Sequence, residues 1–188
     1  CRDLNDSIAD KIEEAELDED QQALLDKLLG KDYEVITADE RLDKIAADFV
    51  DHCAMRWESG KTLFVCIDKI TCARMYQLIK PRWEAKAAAA RAAAQKAAIE
   101  GQEADAARLT AQADWLDETI IEIIISEAQN EVAAFKKWNF DIIPHRALMK
   151  QGFDVDGKRV DVEMAFKNPK HPFRVAIVCA MWLTGFDV

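Results

Sequence analysis

The chain has 188 residues, half of them hydrophobic, so it is long enough for one domain with a packed core and too apolar for global disorder. Its net charge is −10, but residues 1–60 hold 7 Lys and Arg against 18 Asp and Glu (net −11), whereas residues 61–188 hold 18 against 17 (net +1). The acidity belongs to the first third, so it does not exclude a nucleic-acid partner for the remainder. No apolar run is long enough to span a membrane, and the first residues lack a signal-peptide pattern.

The first third is predicted to be helical. Apolar residues recur every three or four positions within residues 3–29, and we expect Gly30 to end that helix. Thr37 and Glu40 have the spacing of a capping box, which predicts the start of a second helix. That helix is expected to continue to about Trp57.

Three short apolar runs predict buried strands at residues 62–67, 119–126 and 174–181. A helix is predicted over residues 129–138, and the polar, proline-containing stretch 139–172 predicts loops with short elements. Strands separated by helices and long connections predict an α/β fold with an open, mostly parallel sheet.

An alanine-rich segment follows the first strand and its helix. Residues 84–113 contain 15 alanines, and Gly101 interrupts them, so the segment predicts a two-helix hairpin. Because it has few large apolar side chains, we expect little of it to belong to the core. We interpret residues 84–117 as a solvated insertion within a lobe of residues 35–188, preceded by an acidic helical segment of residues 1–34.

The cysteines number five and show no pairing pattern. Neither a C-x-x-C pair nor a histidine at metal-ligand spacing is present, which favours buried, reduced thiols over a zinc site. A reducing and therefore cytoplasmic compartment is expected. The sequence starts without Met and stops inside an apolar stretch, from which we expect a fragment of a longer protein. The cysteines are Cys1, Cys53, Cys66, Cys72 and Cys179.

Ligands of an open parallel sheet bind beyond the carboxyl ends of its strands. Residues 68–71, 126–130 and 184–187 fall at such ends of the predicted strands. The sequence contains no P-loop, no G-x-G-x-x-G and no G-x-S-x-G motif. It is therefore not expected to hold a self-sufficient active site, and binding is the more natural role for the strand ends.

Two of these strand ends carry groups suited to phosphate oxygens. Thr184 and Gly185 offer a hydroxyl and an unhindered backbone N–H, and Lys69 and Thr71 open the helix that Asp68 is placed to cap. An ordinary strand-to-loop turn and an ordinary capped helix explain the same residues, and on local sequence alone those explanations are favoured.

Other candidates have structural explanations beside functional ones. His145 and Arg146 form either a phosphate clamp or a surface pair, and Asn130 and Glu131 are interpreted as helix-capping residues. Four tryptophans are predicted to serve core and helix packing: Trp57, Trp83, Trp115 and Trp138.

Taken in order, these segments resemble one family, the motor subunit of type I restriction enzymes. The most specific block is CAMWLTGFDV at residues 179–188, which resembles motif V; superfamily-2 helicases in general share only its Thr-Gly-x-Asp kernel. The resemblance covers about residues 35–83 and 119–188. Further blocks that resemble the family are RWESGK at 56–61 and DKITCARMY at 68–76 (motif IV), ISEAQNE at 125–131, PHR at 144–146, FKNP at 166–169 and PFR at 172–174.

The resemblance implies a RecA-like second lobe of a double-stranded-DNA translocase, within an ATP-dependent type I site-specific deoxyribonuclease. Lys69, Thr71, Thr184 and Gly185 would face the DNA backbone, and Asp187 would lie near the ATP cleft and couple the lobes. ATP and Mg²⁺ would be held mainly by a first lobe that this sequence lacks, and no metal is expected on this chain. The nuclease domain and motif VI are also missing, so the chain alone is expected to be inactive. The implied partners are DNA and the modification and specificity subunits, with no membrane.

Two alternatives stay open. The chain could be the motor lobe of another superfamily-2 DNA translocase or helicase, which the residues following Val188 would distinguish. It could instead be a helical protein-interaction module built on residues 1–30 and 84–117.

Overall fold

A computed structural model describes residues 30, 32–58 and 60–179 of the chain. The chain divides into two compact units, residues 1–45 and residues 46–188. The helix predicted over residues 3–29 lies outside the described residues. Gly30 and residues 32–36 are helical, so the prediction that Gly30 ends a helix is wrong.

Eleven helices and strands follow in the described residues. In chain order they are α1 (Asp39–Met55), β1 (Thr62–Val65), α2 (Lys69–Ile99), α3 (Glu103–Glu118), β2 (Ile120–Ile124), α4 (Glu131–Lys136), α5 (Ile143–Gln151), β3 (Phe153–Val155), β4 (Lys158–Val160), α6 (Val162–Lys167) and β5 (Phe173–Val178).

The three predicted strands form one parallel sheet in the order β1-β5-β2, which confirms the α/β fold class. The strand latest in sequence is central, as expected when helices and long crossovers connect parallel strands. β5 has its last four residues fully buried because it is flanked on both sides and covered on both faces. β1 is less covered than predicted: Val65 is exposed, and in the described part of the chain β1 pairs with β5 alone.

Both faces of the sheet carry a core. On one face, Ala176 and Val178 of β5 pack with Phe153, Val162 and Phe166 from the segment that precedes the strand. Because side chains alternate along a strand, the neighbouring β5 residues point to the other face, where α2 contacts the sheet. α2 buries three large side chains there: Met75, Ile79 and Trp83.

The alanine-rich segment forms a helical hairpin, with its turn at Gly101 (φ +72°). The helix that follows β1 does not stop before the alanines but runs through Pro81 as a single helix of 31 residues. At the base of the hairpin, Leu116 is 1% exposed and accepts a 2.9 Å hydrogen bond from the Trp83 indole N–H. The expectation that little of the segment is core is therefore wrong for its base, although the assignment of an insertion stays a prediction. Small residues close the seam between the helices: Ala87, Ala94, Ala97 and Ala113.

Residues 139–172 contain the predicted short elements, namely α5, the antiparallel β3-β4 hairpin and α6. Gly152 joins α5 to β3 with a φ of +70°, and a Cβ there would lie 2.1 Å from the Val160 carbonyl oxygen. Only glycine fits this close approach of two backbones. The hairpin is thereby held against α5 and the core beneath it.

Candidate functional site

The carboxyl ends of all three parallel strands meet at one edge of the sheet. Val65 and Ile124 both lie in register with Val178, the last residue of β5. Just beyond them, the Cys66 N–H donates to the Val178 carbonyl at 2.8 Å, which extends the β1-β5 pairing by one step. Of the predicted strand-end segments, residues 68–71 and 126–130 therefore lie at a single edge of the sheet.

The first turn of α2 lies at this edge. Asp68 caps the helix as predicted: its Oδ1 accepts from the Thr71 N–H at 2.6 Å. The Lys69 side chain is half-buried and forms no hydrogen bond or ion pair with a described residue, so its ammonium group is available at a helix N-terminus. Thr71 differs from Lys69, because it is only 4% exposed.

Two hydroxyl oxygens at this edge are buried without a hydrogen-bond partner among the described residues, Thr71 Oγ1 and Ser126 Oγ. They follow different strands, β1 and β2. A buried hydroxyl without a partner costs free energy that a paired one does not. Both residues belong to predicted strand-end segments, and the sequence analysis named Thr71 as a candidate phosphate contact.

The loop after β2 is held from within by Arg146. Its guanidinium donates to both carboxylate oxygens of Glu131, at 2.8 and 2.7 Å, and to the backbone carbonyls of Ile125 (2.8 Å) and Ser126 (3.3 Å). Arg146 and Glu131 side chains are 12% and 9% exposed. Arg146 is thus neither a surface residue nor a free phosphate clamp in this structure, because its donors are already engaged.

Neighbouring residues share this internal role. Glu131 Oε2 also accepts from the Ala128 N–H at 3.1 Å, so Glu131 stabilises the turn that leads into α4. Asn130 occupies the N-cap position of α4, as interpreted, but it adopts a left-handed conformation (φ 56°) and its side chain makes no capping hydrogen bond.

A second partly buried pair, His145 and Glu122, escaped the sequence analysis. His145 Nδ1 lies 2.6 Å from Glu122 Oε2, and the imidazole stacks on Phe140 at a centroid distance of 5.0 Å. Tyr76 meets the ring edge-on at 4.8 Å, and burial together with nearby Glu122 raises the Tyr76 pKa to about 12. The sequence did contain one sign of this pair, because Glu122 is the one charged residue in the otherwise apolar strand β2.

Three thiols gather at the same edge of the sheet. The Cys66 and Cys72 side chains are hydrogen-bonded to each other, and Cys179 Sγ lies 3.7 Å from the Ile67 carbonyl oxygen. The Cys66 hydrogen bond and burial raise the Cys72 pKa well above its usual range. A thiol that stays protonated is a poor nucleophile. All four described cysteines are free, as expected from their pattern.

The remaining predicted site residues, Thr184, Gly185 and Asp187, lie outside the described residues. Within the described ranges, no group of three or more His, Cys, Asp or Glu side chains is placed to hold a metal ion. The helices described here include none that is both long and apolar enough to cross a bilayer.

Three of the four tryptophans form the predicted packing cluster. Trp115 lies 6.0 Å from Trp83 and 6.5 Å from Trp57, measured between ring centroids. Trp138 stands apart and is 45% exposed, with the Arg74 guanidinium 4.9 Å over its ring. Trp138 therefore packs with a cation on the surface and not in the core.

Comparison with known proteins gives one informative likeness. The chain is 27% identical over 169 residues to the type I restriction enzyme HindI endonuclease subunit of Haemophilus influenzae. The aligned region covers 87% of this chain and 11% of that protein, so the chain corresponds to a small part of its length. No protein-family model matches the chain, and no solved structure matches it. The likeness supports a relationship to restriction-enzyme subunits, without resolving individual motifs.

Proposed function

We propose that this chain is part of the DNA-translocating motor of a type I restriction endonuclease, as a portion of its second RecA-like lobe. The observation that carries the proposal is the likeness to the restriction endonuclease subunit over most of the chain. The parallel β1-β5-β2 sheet supports it, because such sheets bind ligands beyond the carboxyl ends of their strands, where Lys69 lies.

Lys69 is the described residue best suited to touch a DNA phosphate. Its ammonium has no partner among the described residues, and it sits on the first turn of a 31-residue helix, where backbone N–H groups and the helix dipole favour an anion. Thr71 is nearly inaccessible, so we expect Lys69 to supply most of the contact at this strand end. Contacts of this kind hold the DNA backbone without reading sequence.

The other assigned roles rest on the resemblance of residues 179–188 to motif V. Thr184 and Gly185 would contact the DNA backbone beyond β5, and Asp187 would form part of one wall of the ATP cleft and couple it to DNA. ATP and Mg²⁺ would be held mainly by the first lobe, and the modification and specificity subunits would complete the enzyme. DNA cleavage and ATP hydrolysis would then require the whole complex, and the isolated chain would be inactive.

Binding of double-stranded DNA by the chain tests the Lys69 assignment. We expect weak binding of two unrelated duplexes with equal affinity at low salt, measured by fluorescence anisotropy. Lys69→Gln should weaken both equally and reduce the slope of log K against log [salt] by about 1. Lys96→Gln is the matched control, because it removes the same charge from the same helix about 40 Å away. Equal effects of the two variants would contradict a contact at Lys69.

The motif V assignments are tested in the complete motor subunit by measuring ATPase rate against DNA concentration. Thr184→Ala should weaken the stimulation by DNA roughly tenfold to a hundredfold, the loss expected for a hydrogen bond to a charged group. Asp187→Asn keeps the side-chain size and removes its charge, so ATP turnover should fall even at saturating DNA. If Asp187→Asn hydrolyses ATP at the wild-type rate at saturating DNA, then Asp187 serves only as a structural cap.

A further inference from the structure

A cavity of about 460 Å³ opens along β1, the edge strand of the sheet. All four residues of β1 and the first part of β5 line it, and residues of α1 and the two tryptophans Trp83 and Trp115 form its other walls. Its volume falls within the range of roughly 300–1,000 Å³ that is typical of small-molecule sites. No role assigned to the chain above uses this cavity.

The cavity is cationic although the chain is acidic. Three basic side chains line it, Arg56, Lys61 and Arg174, and none of the described residues that line it is Asp or Glu. The pKa of Lys61 is lowered to about 8, first by burial and then by the positive charge of Arg174. The two cations are thus close enough to repel each other. Glu118, which does not line the cavity, pairs with Arg174 at 3.5 Å, and Lys61 forms no ion pair with a described residue.

Two of these cations are already committed to the fold. Lys61 Nζ donates to three backbone carbonyls, those of Ala165, His171 and Phe173, at 2.8–3.1 Å. The Arg174 guanidinium donates to the Trp115 carbonyl at 3.0 Å and lies over the Trp115 ring. Lys61 and Arg174 therefore have few donors left for a ligand.

Arg56 is different, since no hydrogen bond or ion pair joins its guanidinium to any residue in the described part of the chain. It is exposed, and it stands one helical turn after His52, whose imidazole also lines the cavity. A planar guanidinium with five donors suits a carboxylate or phosphate, and an imidazole N–H adds another donor.

The rest of the wall is apolar and largely aromatic. Phe49 and Phe64 meet edge-to-face with their centroids 4.8 Å apart, and Leu63 and Trp83 extend the same surface. Small-molecule sites commonly combine an apolar wall with a few polar groups that fix the orientation of the ligand.

We infer that this cavity binds a small aromatic anion, with Arg56 and His52 holding the carboxylate or phosphate and the aromatic wall holding the ring. The inference is independent of the proposed motor function, because it uses none of the candidate DNA-contact residues.

The inference is tested on the 188-residue chain with 1-naphthyl phosphate, 1-naphthylacetate and the neutral 1-naphthalenemethanol, by isothermal titration calorimetry. We expect at least one of the two anions to bind with a Kd on the order of 100 µM, a value ordinary for ligands of this size, and the neutral alcohol to bind at least tenfold more weakly. Whichever anion binds more tightly identifies the preferred acid group. An alcohol that binds as tightly as the anions, or the absence of anion binding at millimolar concentration, would overturn the inference.

Arg56→Gln should weaken binding of the preferred anion by tenfold or more. Arg108→Gln, which removes an exposed guanidinium of α3 that pairs with Asp105, should leave it unchanged. The indole N–H resonances of Trp83 and Trp115, assigned by single substitution, should shift on titration while that of Trp138 stays in place. Binding that is insensitive to Arg56→Gln, or that shifts Trp138 in preference to Trp83 and Trp115, would show that the ligand sits elsewhere.

Discussion

Arg146 on α5 and Glu131 on α4 form a two-pronged ion pair at the carboxyl edge of the sheet, with both carboxylate oxygens within 2.8 Å of guanidinium nitrogens. Both side chains are close to 10% exposed, so the pair is largely removed from water. The same guanidinium also holds two carbonyls of the loop after β2. The order of that loop therefore depends on one side chain supplied by a later helix.

Arg146→Gln should lower the free energy of unfolding by roughly 3 kcal/mol, because it leaves the Glu131 carboxylate buried without its counter-charge. Urea denaturation measures the change. Lys150→Gln is the control, since it breaks the Lys150–Glu127 ion pair, which is about 60% exposed, and should change the free energy of unfolding only slightly. Equal losses in the two variants would mean that Arg146 is held no more firmly than a surface residue.

Asp68→Ala should destabilise the chain by about 1 kcal/mol, because the Thr71 N–H at the start of α2 loses its capping oxygen. Asp68→Asn keeps a hydrogen-bond acceptor in the same place and should lower the free energy of unfolding by only a few tenths of a kcal/mol. Thermal or urea unfolding of both variants provides the measurement. A large loss in Asp68→Asn would show that the negative charge matters more than the cap.

Stability should fall as the pH drops below about 6.5 because of His171. Burial and then the charge of Lys61 lower its pKa, so the unfolded chain takes up a proton at a pH where the folded chain does not. The penalty is absent above 6.5 and grows until the folded-state imidazole titrates. His171 Nδ1 accepts from the Phe173 N–H at 3.1 Å, an interaction that an asparagine oxygen can imitate. His171→Asn should therefore flatten this part of the curve of unfolding free energy against pH. If the slope is unchanged, other groups cause the pH dependence.

The hairpin should tolerate loss of its tip but not of its base. Replacing residues 91–109 with a short Gly/Ser linker removes alanines that pack mainly across the hairpin itself, so the melting temperature should change by only a few degrees. Replacing residues 84–117 also removes Trp115 and Leu116, and the loss of two large side chains should exceed about 5 kcal/mol. Similar melting of the two forms would contradict the packed base.

Much of the fold was accessible from the sequence because its signals are local. Three apolar runs identified the three parallel strands, alanine content identified the hairpin, and Asp68 identified the start of α2. Each of these depends on neighbours in sequence, through period, propensity or capping.

The rest depends on contacts between distant residues. Arg146 looked like a surface or phosphate-binding residue because nothing in Pro-His-Arg reveals Glu131, 15 positions earlier, as its partner. The base of the hairpin belongs to the core because the Trp83 indole N–H donates to the Leu116 carbonyl, and these two residues are 33 positions apart in sequence. The cationic cavity likewise unites the end of α1 with the start of β5, and no linear motif records that arrangement.

The unbroken course of α2 has a mechanical consequence. Its 31 residues form a rod about 45 Å long, with Lys69 at one end and the hairpin turn at the other. Rotating such a rod by about 5° around its first turn moves the far end by about 4 Å. Pro81 removes one N–H from the backbone ladder and marks the point where the rod bends most easily. A displacement of the hairpin tip is therefore coupled, through α2, to the first turn of that helix at the sheet edge. The packing of the alanines between α2 and α3 sets how rigid this connection is.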